Sequence, residues 1–209
     1  MLFSYSCCFV LGYLFGSTPA GYLLLKRRRN IDLRSVGSGN VGAMNAFEVT
    51  ASKGIGAAVL GLDLAKGALA VSAAWLAFGE SFPLLSTSAI ASVAGHNYPL
   101  WLGGKGGRGL ATGAGAMLML GWIAPAIWIA LYLIAYGAFR HIQIANIAAS
   151  LFAPAVMLLV PGSWYGTLMH VPASREAVAF VTALICLFVL LRHIEPAVEI
   201  WKSKTLPPQ

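Results

Sequence analysis

The chain has 209 residues, of which 58% are hydrophobic and only 10% charged, and its net charge is +7. An ordinary soluble domain carries roughly a quarter of its residues charged, so this composition excludes a water-soluble fold and identifies an integral membrane protein. So little sequence separates the apolar runs that residues 1–209 read as a single membrane domain, with a short polar tail from about residue 195.

A helix that crosses about 30 Å of hydrocarbon needs roughly 20 apolar residues. In chain order, spans are expected at 3–25, 54–79, 83–102, 109–121, 122–139, 144–161 and 174–192, which makes the predicted fold class an all-α integral membrane protein of seven transmembrane helices. The first run has no positive charge ahead of it and is followed by Lys26, Arg27, Arg28 and Arg29, so it reads as a retained span and not a cleaved signal. The stretch 109–139 is too long for one untilted crossing at about 1.5 Å per residue. Within it, "GWIAPA" (121–126) supplies the Gly and Pro of a break.

An odd number of spans puts the termini on opposite sides. Every Lys and Arg then falls on one side except Lys66, inside a span, and Arg175. The positive-inside rule makes that side cytoplasmic, with the N-terminus outside and the C-terminus in the cytoplasm. The net charge therefore reflects topology and attraction to anionic lipid headgroups, and no nucleic-acid partner is indicated. Cys7, Cys8 and Cys186 lie in apolar runs without metal-ligand spacing or a disulfide framework.

On this topology the polar clusters share the cytoplasmic face. In "GSGNVGAMN" (37–45), Gly37, Ser38, Gly39, Asn40 and Gly42 have the composition of a nest, in which successive backbone N–H groups converge on an anion ahead of a helix N-terminus. "GHNYPLWLGGKGGRG" (95–109) adds the cations Lys105 and Arg108 on a flexible backbone, without the spacing of a nucleotide-binding P-loop. Arg140 with His141, and Arg192 with His193, mark the remaining cytoplasmic ends.

Asp63 and Lys66 are three residues apart and share one helix face. They are expected either to line a polar cavity or to form a neutralised pair that tethers helices. His96 and His193 are candidates for moving a proton or holding a phosphate; His193 reads equally as an interfacial residue at a helix C-terminus. No nucleophile–base signature is visible, so a covalent intermediate is not indicated. No metal site and no cofactor are expected.

Together, "GS" (16–17), "DLRSVGSGNVGAMN" (32–45), "DLAKG" (63–67), "GHNYPLWLGGKGGRGLATG" (95–113) and "RH" (192–193) resemble the bacterial membrane acyl-phosphate:glycerol-3-phosphate acyltransferase family, from about residue 11 to 195. The resemblance implies a seven-span plasma-membrane enzyme with its active site facing the cytoplasm. It would move a fatty acyl group from acyl phosphate to the 1-hydroxyl of glycerol 3-phosphate, giving lysophosphatidic acid and phosphate without coenzyme A or acyl carrier protein.

Ser38, Asn40 and His193 are then the expected catalytic residues. Gly37, Gly39, Gly42, Asn45, Lys105, Arg108, Ser17, Asp63, Lys66, His96, Arg140 and Arg192 complete the expected substrate- and phosphate-binding set. Because acyl phosphate is already an activated anhydride, the protein's task is to align two anionic groups and shield developing charge. The base is either His193 or a substrate phosphate oxygen.

Four residues depart from the family pattern: Met44 stands for threonine, Glu48 for arginine, Arg108 for lysine and Pro196 for asparagine. Gln143 and Asn146 occupy positions that are often serine. Glu48 would weaken binding of a dianion unless it points away or the substrate differs. Three alternatives follow: a divergent paralogue with another phosphorylated acceptor, a phospholipid transporter, or a regulatory non-enzyme.

Overall fold

The computed structural model describes residues 1–198, which up to Leu191 form ten α-helices joined by turns and by two longer loops, 30–42 and 98–109. The expected first span is two helices, α1 (Leu2–Ser17) and α2 (Ala20–Arg29). Pro19 has no N–H and drives the residue before it out of the helical region; Thr18 accordingly sits at φ −60°, ψ 115°. A carbonyl released in an apolar layer must find a donor. That of Thr18 accepts from the Ala20 N–H and from Lys66 Nζ, each at 3.0 Å.

The remaining helices are α3 (Ala43–Thr50), α4 (Lys53–Phe78), α5 (Phe82–Asn97), α6 (Leu110–Leu120), α7 (Ile123–Phe139), α8 (Ile142–Leu159), α9 (Gly162–Leu168) and α10 (Arg175–Leu191). The break expected near residue 121 is present. The Trp122 N–H donates to the Leu168 carbonyl at 2.8 Å, and the Leu120 carbonyl accepts from His170 and Val171, so the segment after α9 closes the end of α6.

Some expected boundaries change. The span placed at 83–102 stops at Asn97, because Pro99 cannot continue it and residues 100–102 turn as a 3-10 helix. Helices α3 and α9 were not foreseen. With 11 residues, α6 reaches only about 16 Å, roughly half the hydrocarbon thickness. Among the described residues, three helical stretches are long and apolar enough to cross a membrane alone: Leu2–Arg29, Lys53–Phe78 and Ile142–Leu159. Large apolar side chains such as Leu76, Ile134 and Leu159 project outward, as a lipid-facing surface requires. Residues 199–209, with Lys202, Lys204 and most of the expected tail, lie outside the described residues.

Helices in lipid gain little from hydrophobic association and pack through small residues that let backbones touch. Here Gly12 and Gly16 of α1 lie directly on the backbone of Ser88 and Ser92 in α5, with no room for a Cβ. Between α4 and α6, Gly67 and Gly115 do the same against Thr112 and Leu64. The larger apolar core, with Val71, Leu85, Val93, Leu120, Met157 and Val178, runs through the bundle. A second cluster of Leu25, Leu33, Val41, Ala46, Val59 and Leu102 sits beneath the glycine-rich loop and fixes its underside.

Candidate active site

Gly37 (φ 58°) and Gly39 (φ 69°) lie in the left-handed region that glycine alone enters without strain. The turn they make is stapled from below by Asn45, only 2% exposed in the first turn of α3. Its Nδ2 donates to the carbonyls of Leu33 (3.2 Å), Val36 (3.1 Å) and Asn40 (2.8 Å), and its Oδ1 accepts from the Ser38 N–H at 3.0 Å. Asn40 Oδ1 accepts from the Gly42 N–H at 3.0 Å, and the Gly39 N–H donates to the Val36 carbonyl at 3.1 Å. Within the nest expected from the glycine spacing, the N–H groups of Ser38, Gly39 and Gly42 are thus used inside the loop.

The second glycine-rich loop folds back on the end of α5. The Gly107 N–H donates to the His96 carbonyl at 3.0 Å, and the Gly107 Cα lies against His96 Nε2 with no space for a side chain. From the opposite side, Arg192 donates through Nε to the Gly107 carbonyl (3.1 Å) and through Nη2 to that of Gly106 (3.0 Å). Its guanidinium also lies 5.7 Å from the centroid of the Tyr98 ring.

Between the two loops is an open cavity of about 750 Å³. Gly37, Ser38, Gly39 and Asn40 form one wall, Lys105 and Arg108 another, and Arg192 with Glu195 and Pro196 a third. Arg34 and Tyr98 also face it and were missed from sequence. Arg34 lies inside the motif itself, and its adjacency to the glycines was the available signal. Its guanidinium grips Asp32 through two bonds of 3.0 and 2.7 Å and holds that carboxyl down at about 2.

His193 is fully buried immediately beyond α10, at the margin of this cavity rather than on its wall. Its Nδ1 lies 2.7 Å from the Val189 carbonyl and so carries the proton it donates there. Nε2 is left as a basic nitrogen without a hydrogen-bond partner among the described residues. Burial holds the imidazole below its ordinary pKa; the Val189 bond opposes this, and the Arg108 charge adds to the lowering.

Other expected site residues lie elsewhere. Asp63, Lys66 and His96 are buried together within the bundle and do not face the cavity. Lys66 Nζ is 3.0 Å and His96 Nδ1 3.6 Å from Asp63 Oδ1. Ser17 Oγ accepts from the Leu100 N–H at 2.9 Å and so ties α1 to the loop base. Arg140 caps the exposed end of α7, 5.9 Å from the Tyr136 ring centroid.

A family model described as glycerol-3-phosphate acyltransferase matches residues 6–203. The chain belongs to the glycerol-3-phosphate acyltransferase family. It is 37% identical over 183 residues to such a protein of Parasynechococcus marenigrum, covering 88% of this chain and 80% of that one. It is 34% identical over 194 residues to one of Paramagnetospirillum magneticum, covering 93% of each. The crystal structure of PlsY (YgiH), an integral membrane glycerol 3-phosphate acyltransferase, in its glycerol 3-phosphate form matches with a TM-score of 0.76 and 28% identity over 99% of this chain and 96% of that chain.

Within this glycerol-3-phosphate acyltransferase fold the four departures separate. Met44 and Glu48 are exposed on α3 and absent from the cavity wall, so the anionic Glu48 does not face the site. Arg108 and Pro196 do line the cavity. Gln143 and Asn146 belong to α8 and do not line it.

Proposed function

We propose that this protein transfers a fatty acyl group from acyl phosphate to the 1-hydroxyl of glycerol 3-phosphate. The observation that carries the reading is one cavity that gathers Ser38, Arg34, Lys105 and Arg108 beside an apolar groove. That groove runs between α6, α7 and α10, from Gly109, next to Arg108, to Met117, Ala124 and Trp128. A phosphate-bearing head and a fatty chain thus find adjoining surfaces of opposite polarity.

The acceptor hydroxyl oxygen attacks the acyl carbon, the bond from that carbon to the phosphate oxygen breaks, and phosphate departs with the electron pair. Both substrates are anionic, so cationic side chains and the Ser38 hydroxyl hold them in line and stabilise the charge that develops. His193 Nε2, kept as an acceptor by the Nδ1 bond to Val189, takes the hydroxyl proton. Asn40 acts by shaping the loop through Gly42.

The termini and the membrane face belong to the same reading. Seven crossings (α1 with α2, α4, α5, α6, α7, α8 and α10) leave the N-terminus outside and the site at the cytoplasmic face of a bacterial plasma membrane. In support, Arg34, Lys105, Arg108 and Arg192 converge on one cavity, as cytoplasmic positive charge would. Membrane lipids are the surrounding partners, and no cofactor enters the chemistry.

The test is phosphate release and lysophosphatidic acid formation by the purified chain, given a long-chain acyl phosphate and glycerol 3-phosphate. Turnover is expected, with Ser38→Ala reduced by about 100-fold or more. A folded chain that forms no product from this pair overturns the reading. For the proton acceptor, wild-type kcat/KM is expected to hold to more acidic pH than an imidazole of ordinary pKa would allow, and to decline only beyond that. The sign follows from a lowered imidazole pKa, which preserves the accepting form to greater acidity. His193→Gln is expected to lose about 10²–10⁴-fold in kcat; full activity in that variant would assign the proton to the leaving phosphate.

A further inference from the structure

We infer that Arg192 is a positioning residue, a clamp that holds the Gly106–Gly107 segment and so places Lys105 and Arg108, and not a cation that binds substrate. The inference rests on the acyl-transfer reading above for its effect on kinetics, but its structural basis is independent of it. Two adjacent glycines between two cations make the most permissive hinge a chain has.

The structure closes the hinge from both sides. Below it, the His96 carbonyl accepts the Gly107 N–H at 3.0 Å, and the imidazole fills the space where a side chain on Gly107 would stand. Above it, Nε and Nη2 of Arg192 reach the two successive carbonyls at 3.1 and 3.0 Å, which matches the planar fork of a guanidinium. Asn97, one residue after His96, donates to the Phe188 carbonyl at 2.8 Å and so binds the floor to α10, the helix that carries the clamp. His193 is the next residue in the chain. Arg192 therefore fixes the cations and the buried imidazole relative to each other.

The role separates from charge because lysine keeps the charge and loses the fork. With long-chain acyl phosphate as donor, Arg192→Lys and Arg192→Gln are both expected to raise KM for glycerol 3-phosphate by about tenfold or more, the scale of a lost charge-assisted bond. A substrate-binding cation predicts that Arg192→Lys stays near wild type while Arg192→Gln alone fails. The second measurement needs no turnover. Tryptic cleavage after Lys105 in detergent is expected to accelerate about tenfold in Arg192→Lys, with thermal unfolding of the bundle recorded alongside.

Amide exchange of the wild type adds a check that no misfolded variant affects. The Gly107 N–H is expected to exchange as slowly as the helical amides of α5. A wild-type KM and cleavage rate in Arg192→Lys, or fast exchange at Gly107, overturns the clamp. Absence of turnover in the wild type would instead defeat the acyl-transfer reading, while cleavage and exchange still decide the role of Arg192.

Discussion

Asn45→Ala is expected to lower turnover by about 100-fold or more, the scale of a displacement near 1 Å in a positioning element, and to destabilise the protein by about 2–4 kcal/mol. The side chain makes four hydrogen bonds to three carbonyls and one N–H. Its removal leaves the carbonyls of Leu33, Val36 and Asn40 and the Ser38 N–H without that partner. A buried polar group stripped of its bond costs about 1–3 kcal/mol. Water from the adjoining cavity offsets part of the total, so the sum over four groups is not reached.

Asn45→Asp is the informative companion. It keeps the shape and the oxygen facing Ser38 but removes the NH2 that serves three carbonyls, and as a carboxylate it places negative charge against them. It is expected to behave no better than alanine. Thermal unfolding and initial rates of the two variants decide the matter: Asn45→Asp at wild-type level would mean that the site responds to volume and not to these bonds.

The legible parts of the molecule were those set by local sequence. Apolar run length located the helices, and Gly121 with Pro125 marked the break between α6 and α7 because turn chemistry is a property of local sequence. The two glycine-rich loops were found for the same reason, and the structure brings Ser38, Asn40, Lys105, Arg108 and Arg192 around one cavity. What spacing did not reveal is which partner satisfies each donor. The glycines of residues 37–42 suggested N–H groups open to an anion, whereas Asn45 reaches back and takes the Ser38 N–H. Asp63 and His96, 33 positions apart in sequence, meet only because α4 and α5 pack together. Arg34 and Tyr98 lacked a motif role of their own and became wall residues through the folding of the two loops.

The Asp63–Lys66 pair illustrates how a charge inside a span follows from a defect elsewhere. Pro19 releases the Thr18 carbonyl, Lys66 donates to it at 3.0 Å, and Asp63 balances the ammonium at 3.0 Å. Both residues are at most 7% exposed. Lys66→Met is expected to cost about 3–5 kcal/mol, because it strands a buried carboxylate and leaves the Thr18 carbonyl with the Ala20 N–H alone. Asp63→Asn/Lys66→Met removes the stranded charge and is expected to recover about 1–3 kcal/mol of that loss, the size of coupling seen between contacting residues. The double-mutant cycle is read by thermal unfolding in detergent, with KM for glycerol 3-phosphate measured on the folded fraction. A raised KM with unfolding unchanged would return the pair to the substrate site. Stability loss that the double variant partly restores would make it the tether of α1 and α2 to α4, required by a proline in the first helical run.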